Sequence, residues 1–253
     1  MCRLLGVVAA TSAPLTESLA AELPPFTALS AEHGDGWGLA YWSPDGELVS
    51  AKEPVAALES RAYADIVGAA RADAAVLHLR WGTKGGNEVR NTHPFVCDGL
   101  AFAHNGTIVD SDSLDGMIDP DLAATGATDS ERYFRAVVTA LRRTDPVAAL
   151  ATTAARIRAS SPISGLNCLL LTEDSLYVYA EHDPQSETAQ EEGPDYFPMW
   201  YRRGAQEIVV ASSGVPQDET TWAPIPEGHI FQVRRRDLRV SLHCVNLDLV
   251  AHS

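Results

Sequence analysis

Two hydrophobic periods alternate along this chain, and they divide it into strand-like ends around a helical middle. Residues 1–10 (MCRLLGVVAA) form an apolar run rich in Leu and Val, which predicts a buried strand. Residues 14–23 predict a short helix with Thr11 or Ser12 as its cap, stopped by Pro24 and Pro25. Residues 33–41 (HGDGWGLAY) begin as a Gly-rich turn and continue as a strand, and Ser43-Pro44-Asp45-Gly46 is a turn between two strands. Helical spacing over 58–72 gives way to alternation over 74–81 (AAVLHLRW), then to a polar, Gly-rich loop over 82–91. Residues 99–109 (GLAFAHNGTIV) predict two strands meeting at Asn105-Gly106. Amphipathic helices follow over 129–143 and 146–159. Strands return over 164–172, 175–180 and 207–213, with a last pair between 229 and 245. This order predicts an α+β layered fold rather than a βαβ array.

Composition narrows the reading. The 253 residues suffice for one domain with a proper core, and no linker divides them, so 1–253 is expected to be a single domain. The aperiodic acidic stretch 181–198 (EHDPQSETAQEEGPDYFP) is expected to be a surface loop or a mobile flap. A net charge of -15 disfavours nucleic acid and anionic membrane surfaces as partners. No apolar run approaches the roughly 20 residues of a membrane helix, and the start lacks an export cleavage signal. Cys2, Cys97, Cys168 and Cys244 are widely spaced, without a C-x-x-C pair. No disulfide framework is indicated, Cys97, Cys168 and Cys244 are expected to be buried small hydrophobes, and a cytoplasmic location fits.

Several short blocks have both a mundane and a chemical reading. If Met1 is removed, Cys2 carries a thiol beside a free α-amine, whose reference pKa of about 7.7–8.0 lets it act as a base at neutral pH. Arg80, at a strand end, is either a surface partner for one of 34 acids or a fork for a substrate carboxylate. Asn105-Gly106 is a hairpin signal, and equally an amide and a backbone N–H that could face an oxyanion. Thr128 with Glu131 is a capping box, on which Asp129 could also meet an ammonium group. A zinc site from His93, Cys97 and His104 matches no common spacing and has no fourth ligand.

Taken in order, Cys2, Asp35-Gly36-Trp37-Gly38, Arg80-Trp81-x-Thr83, Asn91-x-His93-Pro94, His104-Asn105-Gly106 and Thr128-Asp129-Ser130-Glu131 resemble the blocks of the class II glutamine amidotransferases, which belong to the N-terminal nucleophile hydrolase superfamily. Asn167-Cys168-Leu169-Leu170-Leu171 and Val210-Ala211-Ser212-Ser213 are similar to the stand-alone members. The resemblance implies a four-layer αββα sandwich with two stacked, mainly antiparallel sheets. It implies Cys2 as nucleophile and base, and Asn105 and Gly106 as the oxyanion hole. Arg80 would hold the substrate α-carboxylate with Thr83 in support, and Asp129 would hold the α-ammonium. Trp81, Gly82, Gly36 and Trp37 would shape the pocket.

The implied reaction passes through a γ-glutamyl thioester and releases glutamate and ammonia or an amine, with no metal or organic cofactor. The expected substrate is a γ-glutamyl metabolite, by likeness to γ-glutamyl hydrolases of thiol-metabolite biosynthesis. The alternatives are a glutaminase subunit feeding a separate ammonia-accepting synthase, and a non-catalytic glutamine-binding regulator. One departure stands out: Lys84 occupies the position after R-W-x-T where many family members have His.

Overall fold

The computed structural model describes residues 2–245, so Met1 of the expected first strand lies outside the described residues. The elements in chain order are β1 (Arg3–Pro14), α1 (Leu15–Ser18), α2 (Leu23–Ala28), β2 (Gly36–Trp42), β3 (Leu48–Glu53), α3 (Arg61–Ala69), β4 (Arg71–Arg80), β5 (Phe95–Cys97), β6 (Leu100–Asn105), α4 (Asp129–Leu141) and α5 (Pro146–Ser160). They continue with β7 (Asn167–Leu171), β8 (Ser175–Ala180), α6 (Glu187–Glu192), β9 (Trp200–Arg203), β10 (Glu207–Ala211), β11 (Trp222–Pro224), β12 (His229–Arg234) and β13 (Val240–Cys244). They build two sheets in the orders β11-β9-β10-β1-β4-β2-β3 and β13-β12-β8-β7-β6-β5, every pairing antiparallel.

The central strands read as continuous apolar runs because both of their faces are covered. Successive side chains leave a strand on opposite sides. Leu4, Val8 and Val76 therefore face the second sheet, where they pack with Ala101, Leu169 and Val178. Their neighbours Leu5, Val7 and Leu77 face outward and pack with Leu15, Phe26, Tyr63 and Val67 of α1, α2 and α3. On the far side, Phe102, Leu170 and Tyr179 pack with Phe134, Val137, Leu150 and Ile157 of α4 and α5. The result is the four-layer α+β sandwich of two antiparallel sheets between helices.

Several local expectations need correcting. β1 runs on through Thr11 and Ser12, so neither caps α1, whose start has no side-chain cap. Pro24 and Pro25 open α2 rather than end a helix, since their missing N–H groups belong to donors that are orphaned at a helix start anyway. Asn105-Gly106 is not a hairpin: the β5–β6 turn lies at Asp98-Gly99, both with positive φ (50° and 73°). Segment 181–198, expected to be a surface loop or a mobile flap, carries regular structure. It holds α6, capped by Ser186, and is pinned by the buried Tyr196 and Phe197. Asn167 donates to the Phe197 carbonyl and Ser213 to that of Tyr196. Among the other cysteines, Cys168 is buried but Cys97 is only partly so and Cys244 is exposed at the edge strand β13.

A close backbone crossing organises one end of the sheets. The segment Thr92-His93-Pro94 passes directly over β2, and a Cβ on Gly38 would sit 1.9 Å from the His93 carbonyl oxygen. Gly38→Ala should therefore force the backbone apart and destabilise the fold by about 1–3 kcal/mol or more, lowering the melting temperature by roughly 2–4 °C per kcal/mol. An unchanged melting temperature would show that the crossing is not a tight constraint.

Candidate active site

Antiparallel register places the nucleophile candidate. Arg3 pairs with Leu79, so the residue before β1 meets the residue after Leu79, and Cys2 arrives beside Arg80 and Trp81. The Cys2 thiol donates to the Trp81 carbonyl at 3.6 Å. β6 of the second sheet ends at the same edge with Asn105, and α4 starts there with Asp129. Between them lies a narrow cleft lined by Cys2, Arg80, Gly82, Lys84, Gly106 and Asp129 among others. A larger surface cleft runs between residues 116–119 and helices α4 and α5, but its lining offers threonine hydroxyls and no cysteine. Chemistry rather than size selects the smaller one.

Arg80 is not the surface arginine of the mundane reading. It is 2% exposed, and among the described residues its guanidinium donates to neutral oxygens only: Asn87 Oδ1 (2.9 Å), the Lys84 carbonyl (3.0 Å) and the Gly85 carbonyl (3.2 Å). Gly82 admits it, since a Cβ there would lie 2.7 Å from Arg80 Nη2. Asp35, which sequence reasoning placed in a motif without a role, ties the loop down by accepting from Gly82 N (2.8 Å) and Asn87 Nδ2 (2.9 Å). The polar 82–91 stretch is thus a fastened loop.

Asp129 is 3% exposed, at the first turn of α4, and accepts from Ile108 N at 2.7 Å. The helix dipole favours its negative charge there. Thr128 caps α4 by accepting from Glu131 N (3.2 Å), but the capping box is only half formed. The Glu131 carboxylate instead accepts from Thr125 N (3.1 Å) and Gly126 N (2.6 Å), bracing the loop before the helix. Among the described residues, neither Arg80 nor Asp129 forms an ion pair with another side chain.

Asn105 is fully buried, and its amide has no hydrogen-bond partner on either atom among the described residues. A buried polar group left open in this way calls for a reason. Gly106 has a φ of 154°, and a Cβ there would lie 1.9 Å from the Gly165 carbonyl oxygen, so only glycine fits. Burial pushes the Cys2 thiol above its ordinary pKa, outweighing the pull of the Arg80 charge. The resting thiol is therefore protonated at neutral pH and needs a base.

The remaining expected site residues divide. Trp81 is 43% exposed at the cleft mouth, edge-on to His33 at 5.4 Å. Thr83 is exposed beside it, its hydroxyl 3.4 Å from that of Thr107. Gly36 and Trp37 do not line the cleft. Trp37 is 1% exposed and packs edge-on to Tyr63 under the first sheet, while Gly36 pairs with Arg80 and lies against Thr92. Their motif serves the Thr92-His93-Pro94 crossing, which brings His93 to the cleft. His93 stacks on His78 at 4.0 Å. The zinc alternative finds no cluster: among the described residues no three His, Cys, Asp or Glu side chains converge as a metal needs. The nitrogens of His104 are engaged, Nε2 donating to the Gly165 carbonyl (3.1 Å) and Nδ1 accepting from Ser130 (2.9 Å).

The stacked sheets with this edge cleft are those of an N-terminal nucleophile hydrolase-like fold. The sequence profile of the glutamine amidotransferases class-II family matches residues 1–187, and the chain belongs to that family. It is 34% identical over 142 residues to an uncharacterized protein of Methanocaldococcus jannaschii, covering 53% of this chain and 37% of that one. It is 33% identical over 113 residues to the amidophosphoribosyltransferase of the same organism, covering 42% and 22%. The chain thus spans well under half the length of these curated relatives. Among solved structures, a glutamine aminotransferase class-II domain protein from Silicibacter pomeroyi superposes with a TM-score of 0.69 at 18% identity, over 97% of this chain and 100% of that one. The glutamine phosphoribosylpyrophosphate amidotransferase of B. subtilis gives 0.65 at 18% identity, over 97% of this chain and 49% of that one. At such identities the likeness is one of fold.

The buried imidazoles predict an acid limit to stability. Burial, reinforced by the positive charges of Arg80 on both and of Lys52 on His93, pushes His78 and His93 well below the ordinary histidine value. Both stay neutral in the fold and gain protons on unfolding, so stability falls as pH drops below the unfolded value of about 6.5. The two together supply a slope of up to about 2.7 kcal/mol per pH unit. Urea midpoints should drop between pH 6.5 and 5, and a flat profile over that window would contradict the neutral pair.

Proposed function

We propose that the protein hydrolyses a glutamine-type γ-amide through a γ-glutamyl thioester on Cys2, and that its substrate is a γ-glutamyl amide of a small metabolite. The observation that carries this reading is the pair of buried, unmatched charges in one cleft. Arg80 and Asp129 lack counter-ions among the described residues, and an α-amino acid supplies one of each sign. Arg80 has used three of its five N–H donors on neutral oxygens and keeps the others for a carboxylate. Asp129 keeps Oδ1 for an ammonium.

With Met1 removed, the α-amine of Cys2 takes the thiol proton and the thiolate attacks the γ-carbonyl carbon. The carbonyl oxygen becomes an oxyanion that Asn105 Nδ2 and Gly106 N–H stabilise, and one such donor is worth roughly 2.7–4 kcal/mol. The C–N bond breaks, the leaving amine takes the proton from the α-ammonium, and the thioester remains. The same amine deprotonates a water, which attacks the thioester and releases glutamate and the thiol. The residues described beyond 187 complete the same two sheets, as β9, β10 and β11 in one and β12 and β13 in the other. That supports hydrolysis over delivery of ammonia to a synthase within these residues.

Cys2→Ala should lower turnover of a γ-glutamyl amide at least about a thousand-fold while leaving the melting temperature unchanged; near wild-type rates would sink the mechanism. Asp129→Asn should act mainly on KM, with kcat/KM falling about thirty-fold or more. An unchanged kcat/KM would reduce Asp129 to a helix-start residue.

A further inference from the structure

Lys84, the departure from the family pattern, has no task in the chemistry above, yet its bonds reach both halves of the site. Its main-chain carbonyl accepts from Arg80 Nη2 at 3.0 Å. Its ammonium donates to the carbonyls of Ile108 (2.8 Å) and Val109 (2.6 Å) across the cleft. Ile108 in turn donates its N–H to Asp129 Oδ2 at 2.7 Å. A continuous chain therefore runs from Arg80 through Lys84 and Ile108 to Asp129. It crosses the turn that follows Gly106, which is anchored from behind by Thr107 N to Ser164 Oγ (2.9 Å) and Val109 N to the Pro162 carbonyl (3.0 Å). Lys84 is half-buried and forms no ion pair among the described residues, so its charge is spent on main-chain oxygens.

We infer that Lys84 is a positioning residue that rivets the carboxylate-binding loop to the turn carrying the ammonium-binding and oxyanion groups, so that the two charges of an α-amino acid are read at a fixed separation and hand. The inference rests on the proposed function. Only a long side chain with several donors can span from the 82–91 loop to two successive carbonyls. Without it, residues 106–109 keep their anchors at 162 and 164, and their link to the Arg80 loop is reduced to the long Thr83–Thr107 hydroxyl contact (3.4 Å), with Asn91 holding Ala127 further out (2.9 Å). The two recognition groups are then less firmly held relative to each other, and the pocket discriminates less well between an L-amino acid and its D-isomer, in which ammonium and carboxylate are exchanged about Cα.

The test is calorimetric binding of L- and D-glutamine to the full chain carrying Cys2→Ala, with Lys84→Met, Lys84→Gln, Lys84→Arg, Asp129→Asn and the Lys84→Met/Asp129→Asn pair added, each variant checked for an intact fold by melting. Lys84→Met should weaken L-glutamine binding about ten-fold or more, the scale of lost bonds to a charged donor. It should also shrink the L-over-D preference. Lys84→Arg should restore most of both, and Lys84→Met should add little once Asp129→Asn is present. Lys84→Gln, which keeps an uncharged amide donor group on a shorter side chain, gives the same comparison if Lys84→Met does not fold. Parent-like affinity and L-over-D preference in a folded Lys84→Met or Lys84→Gln, or fully additive losses in the pair, would overturn the inference alone. Failure of the Cys2→Ala parent to bind both L-glutamine and an L-γ-glutamyl amide such as L-γ-glutamylethylamide would overturn the proposed function and this inference with it, and a parent that binds only the amide moves the same comparison of L- and D-forms to that probe.

Discussion

Everything at the cleft depends on two antiparallel sheets being packed face to face with their functional ends flush. Leu4, Val76, Ala101 and Leu169 hold the sheets together from within. Gly6 lets them approach, since a Cβ there would lie 3.0 Å from Leu176 and 3.3 Å from Leu169. Because β1 starts, and β4 and β6 end, at one edge, Cys2, Arg80 and Asn105 converge from positions far apart in the chain. α4, packed on the outer face of the second sheet, adds Asp129 from the side. The site sits on strand termini and one helix start, held by a core rather than by loop order, as suits groups that must keep their geometry during reaction.

The energetics of the cleft follow from burial. Two buried charges without ion-pair partners among the described residues are unfavourable in isolation, and under the proposed function a zwitterionic substrate would offset their desolvation. The same burial keeps the thiol protonated and the nearby histidines neutral. A protonated thiol does not react indiscriminately, and in the proposed mechanism its activation by its own α-amine would tie reactivity to removal of the preceding residue. The polar network of Asp35, Asn87 and Lys84 keeps the loops in place, with the Asp35 carboxylate bonded to Gly82 and Asn87 rather than to Arg80.

Much of this was legible in the residues, and the rest failed for identifiable reasons. The apolar runs at β1 and β4 and the Thr128 cap marked their elements because local propensity and tertiary burial agree there. Asn105-Gly106 misled because the hairpin signal is local, whereas the glycine is demanded by the distant Gly165 carbonyl. Gly36 and Trp37 were drawn towards the pocket by their motif. Their actual role, with Gly38, is to admit a backbone crossing and fill the core beneath Arg80, which no local pattern encodes. The acidic 181–198 stretch hid Tyr196 and Phe197, whose anchoring partners Asn167 and Ser213 are remote in sequence. Lys84 read as a lost family residue because its carbonyl partners are main-chain atoms and leave no side-chain signature.

The central claim is that Cys2 is an N-terminal nucleophile served by a glutamine-shaped pocket, and intact mass before and after exposure to 6-diazo-5-oxo-L-norleucine tests it most directly. This glutamine analogue alkylates such nucleophiles. The account predicts a protein lacking Met1 that gains one adduct, mapped to Cys2, with L-glutamine protecting against labelling. A chain that retains Met1 and takes no adduct would contradict it.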